Sequence, residues 1–245
     1  MRFILMHKTD ARWERGENPS PELIARVGQL LTDMAGDGAL LAGEGLRASS
    51  LGVRLQFSGG QRTVVPGPFT GGNELPAGFA IVRVESLDDA IGWASRVAEV
   101  KGDVEIDVRP VTEPWDLGLV PRPPGVPTRY MLLHKADAAS ESGARPAKER
   151  AAMRRLHDEM NRAGVLVTSE ALAPSAKGRR YKFSDGKQSV IDGPFAESKE
   201  LIAGYILLEA ASLDEAARWA PPYAAAAETA ELDLREVEEP DAAAG

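Results

Sequence analysis

The chain has 245 residues, no cysteine and a formal net charge of −8 at neutral pH. The negative charge argues against nucleic acid and against an anionic membrane as partners, because both need basic protein surface. The absence of cysteine excludes disulfides, thiolate catalysis and cysteine-ligated metal sites. The N-terminus lacks a secretory pattern, and no apolar run reaches the roughly 20 residues of a membrane span, so we expect a cytoplasmic protein.

The first 111 residues predict, in chain order, a strand, a helix, two or three short strands, an apolar strand, a helix and a closing strand. Residues 3–6 are apolar on both alternating faces, which predicts a strand that is covered on both sides. Ser20 and Pro21 suit the first turn of the first helix. Ser86 opens the second helix with a capping box, and that helix is expected to bury Trp93.

The second half of the chain repeats the first. Residues 22–111 align with residues 148–237 without a gap at a constant offset of 126, and 32 of these 90 positions are identical. Such self-similarity is the signature of a duplication. The segment 112–128 between the copies contains five prolines, which is typical of a semi-rigid linker, although its apolar residues indicate that it packs on a domain. The tail, residues 238–245, is predicted to be disordered.

Each copy shows the split β-α-β pattern of a ferredoxin-like domain. We therefore predict an α+β fold of two ferredoxin-like β-α-β-β-α-β repeats, residues 1–111 and 129–237. The helices cover one face of each sheet, so the apolar second face needs a partner, and the other copy offers a matching surface. Two sheets that face each other in this way would form an intrachain pseudo-dimeric α+β barrel.

Residues 192–200, Asp-Gly-Pro-Phe-Ala-Glu-Ser-Lys-Glu, resemble the DGPF signature of YCII-related proteins. Residues 130–133, 170–172 and 232–235 resemble that family too, and the resemblance covers nearly the whole chain twice. It implies the dimeric α+β barrel fold and a bacterial origin. Some relatives are enzymes on small, often aromatic or lactone-like, ring compounds. DGPF proteins also tend to be encoded beside extracytoplasmic-function sigma factors, which implies a regulatory context.

The chain departs from the family pattern in two places. The histidine–aspartate pair that the family carries around the first helix has no histidine here, at residues 21–24 or at residues 147–150. In the first copy, Pro66, Gly71 and Asn73 replace the aspartate, glutamate and lysine of the motif. If the charged residues do chemistry, the second copy is the working half and the first copy is a structural partner.

Two histidines are candidate catalytic residues. His7 and His134 hold the same place in the two copies, at the end of an apolar strand. Histidine titrates near neutral pH, so each could act as a general acid or base at the mouth of the barrel. The alternative is a strand-end histidine that is hydrogen-bonded to a loop.

Three carboxylates complete the set of candidates. Glu44 and Glu170 lie among small and apolar residues, where burial would raise the pKa and suit proton transfer. The alternative for both is an exposed strand position, or salt bridges to Arg54 and Arg180. Asp192 precedes Gly-Pro, where aspartate often only makes a turn.

These patterns predict neither a metal nor a cofactor, because no cluster of histidine and carboxylates has ligand spacing. The favoured hypothesis is a cofactor-independent enzyme, or a binder, that uses proton transfer on a small molecule in the barrel. The alternative is a non-catalytic regulatory or interaction protein linked to an extracytoplasmic-function sigma factor. A third hypothesis holds that the second copy only completes the fold. Each is compatible with a further homodimer.

Overall fold

The structure, a computed structural model, describes residues 1–70 and 72–239. Gly71 and residues 240–245 of the tail, on which two of the predictions fall, lie outside the described residues. The strands of the first half are β1 (Arg2–Lys8), β2 (Leu40–Gly45), β3 (Val53–Ser58), β4 (Gln61–Pro66), β5 (Pro76–Val84) and β6 (Val104–Pro110). Those of the second half are β7 (Thr128–Lys135), β8 (Leu166–Ala171), β9 (Gly178–Ser184), β10 (Lys187–Asp192), β11 (Ile202–Glu209) and β12 (Glu231–Glu236).

The helices lie between these strands in the same order in both copies. They are α1 (Ala11–Glu14), α2 (Pro21–Gly36) and α3 (Leu87–Lys101) in the first half, and α4 (Ala138–Glu141), α5 (Ala147–Arg162), α6 (Leu213–Ala217) and α7 (Ala220–Ala227) in the second. As predicted, Ser20 caps α2, because its Oγ accepts a hydrogen bond from the Leu23 amide. Ser86 caps α3 in the same way.

The second helix of the second copy differs from the prediction of one continuous helix. It is divided into α6 and α7, and two prolines lie in the first turn of α7. Proline has no backbone N–H to donate, and the first turn of a helix is where that loss costs least. Trp93 and Trp219 are half-buried, and each packs against the apolar cluster between its helix and the neighbouring sheet.

The strands form two six-stranded antiparallel sheets within the described part of the chain. Sheet I has the order β10-β9-β12-β1-β11-β2, and sheet II has the order β4-β3-β6-β7-β5-β8. This confirms the α+β fold with two similar halves. Each sheet draws strands from both copies, however. Strand β1 of the first copy pairs with β11 and β12 of the second, and β7 of the second copy pairs with β5 and β6 of the first.

The proline-rich segment joins β6 to β7, which are neighbouring strands of sheet II. It therefore connects strands within one sheet. Sheet II is built from the continuous stretch of chain from β3 to β8. Sheet I combines the N-terminal strands β1 and β2 with β9 to β12. The two copies are thus interlocked, and neither sheet is made by one copy alone.

Three apolar clusters fill the fold. Phe3 and Leu5 of β1 pack with α2 and α7 on the outer face of sheet I. Ile4 and Met6, on the opposite face of the same strand, pack with residues of β5 and β7 from sheet II. This confirms that the opening strand is covered on both sides. The third cluster lies between sheet II and the helices α3 and α5.

The facing sheets are not closed into a continuous barrel. In the described residues they are joined by two isolated bridges, Leu46 to Val111 and Leu172 to Val237. Just beyond the second bridge, the Glu238 amide donates to the Ala171 carbonyl at 2.8 Å. The start of the predicted disordered tail is therefore held in place.

The interlocked sheets predict how the chain behaves when it is divided. If a protease site is inserted in the exposed segment 118–125 and cut, the halves should stay together, because β1 and β7 remain paired with strands of the other half. Size-exclusion chromatography would show one species that separates only in denaturant. Residues 1–126 expressed alone should aggregate or form a homodimer. Two stable, separate monomers after cleavage would contradict the strand exchange.

Candidate functional site

A cavity of about 990 Å³ lies beside sheet I. Its walls come from β1, α2 and β2 of the first copy, from β9, β11 and α7 of the second copy, and from the proline-rich segment. Most of the wall is apolar, with the side chains of Trp13, Leu23, Ile24, Val27, Leu31, Leu117, Leu119, Phe183 and Ile206. Polar side chains also reach it, among them His7, Glu44, Arg129, Lys182, Glu200, Tyr205, Tyr223 and Glu231. The volume suits one small organic molecule.

His7 forms a hydrogen-bonded pair with Tyr223 in the wall of this cavity. The His7 Nδ1 lies 2.6 Å from the Tyr223 hydroxyl, and the two rings meet edge to face. Gly204 makes room for the imidazole, because a Cβ there would lie 2.7 Å from the His7 Cε1. No residue of the described chain is hydrogen-bonded to the His7 Nε2, so that nitrogen is available to a ligand.

Burial and the nearby Lys8 charge lower the pKa of His7 to about 4, and burial raises the pKa of Tyr223. Both groups are therefore neutral at pH 7. A buried hydroxyl that does not donate is costly, so we assign the proton to a bond from the Tyr223 hydroxyl to the His7 Nδ1. The remaining proton of the neutral imidazole then lies on Nε2, which becomes a hydrogen-bond donor.

Glu44 and Glu170, which hold equivalent positions in the two copies, each pair with an arginine of the other copy. Glu44 binds Arg129, which also donates to Glu113 at 2.6 Å. Glu170 binds Arg2 at 2.7 Å, and although burial raises the pKa of Glu170, the arginine opposes that rise. The alternative partners Arg54 and Arg180 were wrong for both, because these arginines bind other carboxylates.

The five candidates are divided by the structure. His7 and Glu44 both line the cavity, whereas His134, Glu170 and Asp192 are not among its described lining residues. Asp192 is highly exposed and binds Arg179 at 3.1 Å. His134 is buried, and its Nε2 has no hydrogen-bond partner in the described chain. These three residues therefore lie outside the described wall that His7 and Glu44 share.

The Gly-Pro-Phe part of the motif is a packing element in both copies. A Cβ on Gly67 or Gly193 would lie within 2 Å of the carbonyl oxygen of Ser49 or Ser175, so only glycine fits. In the second copy, the Phe195 amide donates to the Ser175 Oγ, and the guanidinium of Arg180 lies over the Phe195 ring. The same two contacts recur in the first copy. This agrees with the expectation that the retained residues are turn and packing residues.

A buried ion cluster lies next to each histidine. The Lys8 Nζ binds Asp233 at 2.8 Å and Ser198 at 2.9 Å, and Asp233 also binds Arg180. Burial would raise the pKa of Asp233, but Lys8 and Arg180 hold it below its ordinary value. Asp107, Lys135 and Arg54 form the counterpart in sheet II, with Glu74 in addition.

Sequence reasoning missed these clusters and Tyr223. A signal for the clusters was present, because the same lysine, arginine and aspartate recur at matching strand positions in both copies. No such signal existed for Tyr223, since its counterpart in the first copy is Val97.

The described residues contain no group of three or more histidines and carboxylates placed to hold a metal ion. Among the same residues, no helix has the length and apolar character that a membrane crossing needs.

Loss of the buried Asp233 of the ion cluster should cost more stability than loss of the exposed charge of Asp192 in the motif. Asp233→Ala leaves Lys8 and Arg180 buried without their carboxylate, which should cost about 3–5 kcal/mol of unfolding free energy. Asp192→Asn, the matched control at an exposed ion pair, should cost less than about 1 kcal/mol. Urea denaturation measures both. Equal losses in the two variants would contradict the assigned roles.

The lowered pKa of His7 predicts that the free energy of unfolding falls as the solution becomes acidic. The folded-state pKa lies near 4 and the unfolded value is 6.5, so the unfolded chain binds this proton first as the pH falls. The stability that the neutral, buried His7 contributes is fully present above pH 6.5 and is lost progressively as the pH falls towards 4. Nitrogen-detected NMR titration should show His7 neutral at pH 5.5, and His7→Asn should flatten the stability curve in that window. A His7 midpoint near 6.5 would contradict this assignment.

Comparison with known proteins agrees with this architecture. The YCII-related domain matches the chain twice, at residues 1–114 and at residues 128–238. An uncharacterised protein of Rhizobium meliloti (strain 1021) is 37% identical over 78 residues, which is 32% of this chain and 60% of that protein. No solved structure matches the chain. Because the family match covers nearly all of both copies, the chain belongs to the YCII-related domain family as a tandem duplication.

Proposed function

We propose that the chain binds one small, largely apolar molecule in the cavity, and that the His7 Nε2–H donates a hydrogen bond to an oxygen of that molecule. The observation that carries this proposal is the neutral His7–Tyr223 pair in the wall of an apolar cavity of about 990 Å³. Large apolar pockets with a few polar groups and a perturbed pKa are the usual form of a small-molecule site.

The tautomer assigned to His7 suits a ligand with a carbonyl or hydroxyl oxygen. Nε2–H would donate to that oxygen and stabilise negative charge that develops on it. Because the pKa of His7 lies near 4, the neutral ring carries no second proton to give at pH 7, and its Nε2–H acts as a hydrogen-bond donor. Tyr223 keeps the ring in this tautomer, and Gly204 lets the ring lie close to β11.

The charges of the wall argue against an anionic ligand. The four cationic side chains that line the cavity each bind a carboxylate: Lys8 binds Asp233, Arg12 binds Asp10, Arg129 binds Glu44, and Lys182 binds Glu231. In the described chain no cation of this wall is left to pair with a phosphate or a carboxylate. Glu200 lines the cavity too and is exposed. We therefore favour a neutral ring compound, in line with the substrates that the family resemblance implies.

This function can be tested with a neutral probe. Nile red, which is apolar and carries a carbonyl, should bind the native chain at one site in a fluorescence titration. Ala227→Trp, which fills the cavity, should weaken binding by about tenfold or more, or roughly 1.4 kcal/mol. Tyr223→Phe should weaken it by about 1 kcal/mol, because His7 loses the bond that sets its tautomer.

Asp192→Asn is the matched control, because Asp192 is exposed and lies outside the described wall of the cavity. It should bind the dye as the native chain does. The same four proteins should then be screened by thermal shift against neutral ring ketones, lactones and phenols. Unchanged Nile red binding in folded Ala227→Trp would rule out the cavity as the binding site.

A further inference from the structure

A small pocket of about 30 Å³ lies in sheet II near His134, and it is lined by nine residues. Alignment of the two copies gives each half its counterparts in the other half. The offset between paired residues is 127 for second-half residues up to Glu141, and it is 126 from residue 148 onward. Eight of the nine have a counterpart that lines the large cavity. Arg145 falls in the one-residue gap, and both of its neighbours in the alignment, Asn18 and Pro19, line the cavity as well.

The counterparts differ where the large cavity is open. Lys101 takes the place of Ala227, and Glu149 takes the place of Leu23. The Lys101 Nζ donates to the Glu149 carboxylate at 3.2 Å, so the two side chains meet where the large cavity has a methyl group and a leucine. Arg145 adds hydrogen bonds to the Ala77 and Leu172 carbonyls at 3.0 Å. These three side chains form a polar plug.

We infer that this small pocket is a second copy of the ligand site, closed by the plug of Lys101, Arg145 and Glu149, so that each chain carries one open site. The inference rests on the proposed function for the kind of ligand, but the closure itself stands on geometry. The histidine of the closed site is present and buried, and its Nε2 has no partner in the described chain. Gly78 makes room for the His134 ring as Gly204 does for His7.

The closed site also lacks the second member of the pair. Val97 stands where Tyr223 stands in the open site, so the hydroxyl that sets the tautomer of His7 has no counterpart at this position beside His134. The plug and the missing hydroxyl both indicate that this copy of the site does not bind a ligand as the open site does. Removal of the plug should therefore restore a cavity for a neutral apolar molecule, without the polar pair of the open site.

The experiment exchanges the plug between the two sites in the full chain. Lys101→Ala with Glu149→Leu gives the closed site the residues of the open one. Leu23→Glu with Ala227→Lys gives the open site the lysine and the glutamate of the plug. Each folded variant is treated with diethyl pyrocarbonate, which modifies accessible neutral imidazole, and mass spectrometry follows His7, His134 and His157 separately. Circular dichroism and thermal melting establish that each variant is folded.

In the native chain His7 should react roughly tenfold faster than His134 or more, because the reagent reaches a buried group through local opening. Removal of the plug should raise the His134 rate towards that of His7, and transfer of the plug should protect His7. Nile red stoichiometry should rise from one to two per chain in the first variant. If the double variant does not fold, Lys101→Ala alone tests the same change.

The outcomes separate this inference from the proposed function. Protection of His134 that persists in the folded, unplugged chain overturns the closed-site inference, whatever the dye does. Exposure of His134 with dye stoichiometry that stays at one shows that the opened pocket is not a second ligand site, and this also overturns it. Failure of the native chain to bind any neutral probe overturns the proposed function, while the His134 rate still decides whether the plug closes the pocket.

Discussion

The opening strand of each copy has two apolar faces, and the rest of the structure depends on keeping both from water. Helices cover one face, and only a second sheet covers the other. In this chain β1 and β7 are each inserted between two strands of the opposite copy, so the strand that most needs burial also locks the copies together. Burial of apolar surface is the dominant favourable term in folding, and here it cannot be satisfied by one copy alone.

Interlocking places each candidate site on residues from both copies. The open cavity takes His7 and α2 from the first copy, and Tyr223 and Tyr205 from the second. If the charged residues of the motif did chemistry, the second copy would be the working half. The glycine and phenylalanine of the motif pack a turn in both copies, and Asp192 is exposed and paired with Arg179. The hydrogen-bonded pair in the cavity wall joins a histidine from one copy to a tyrosine from the other.

Duplication within one chain lets two equivalent sites diverge, which a symmetric homodimer cannot do. Both copies keep the buried lysine, arginine and aspartate beside the histidine, because removing one charge from such a cluster strands the others in a low-dielectric interior. The surrounding wall is under no such constraint. It is mostly apolar around the cavity at His7, and it carries Lys101, Arg145 and Glu149 at the small pocket near His134.

The amino-acid sequence by itself determined the duplication, the α+β class, the helix caps and the burial of β1 on both faces. These follow from local periodicity, capping chemistry and the comparison of one half with the other. It also identified His7 and Glu44, two residues of the cavity wall. The tertiary structure decided which copy supplies each strand, the pairing of Tyr223 with His7, and the difference in size between the cavity at His7 and the pocket near His134. Periodicity records which face of a strand is apolar, but strands of either copy present equivalent edges, and only the packing of the whole chain selects the partner.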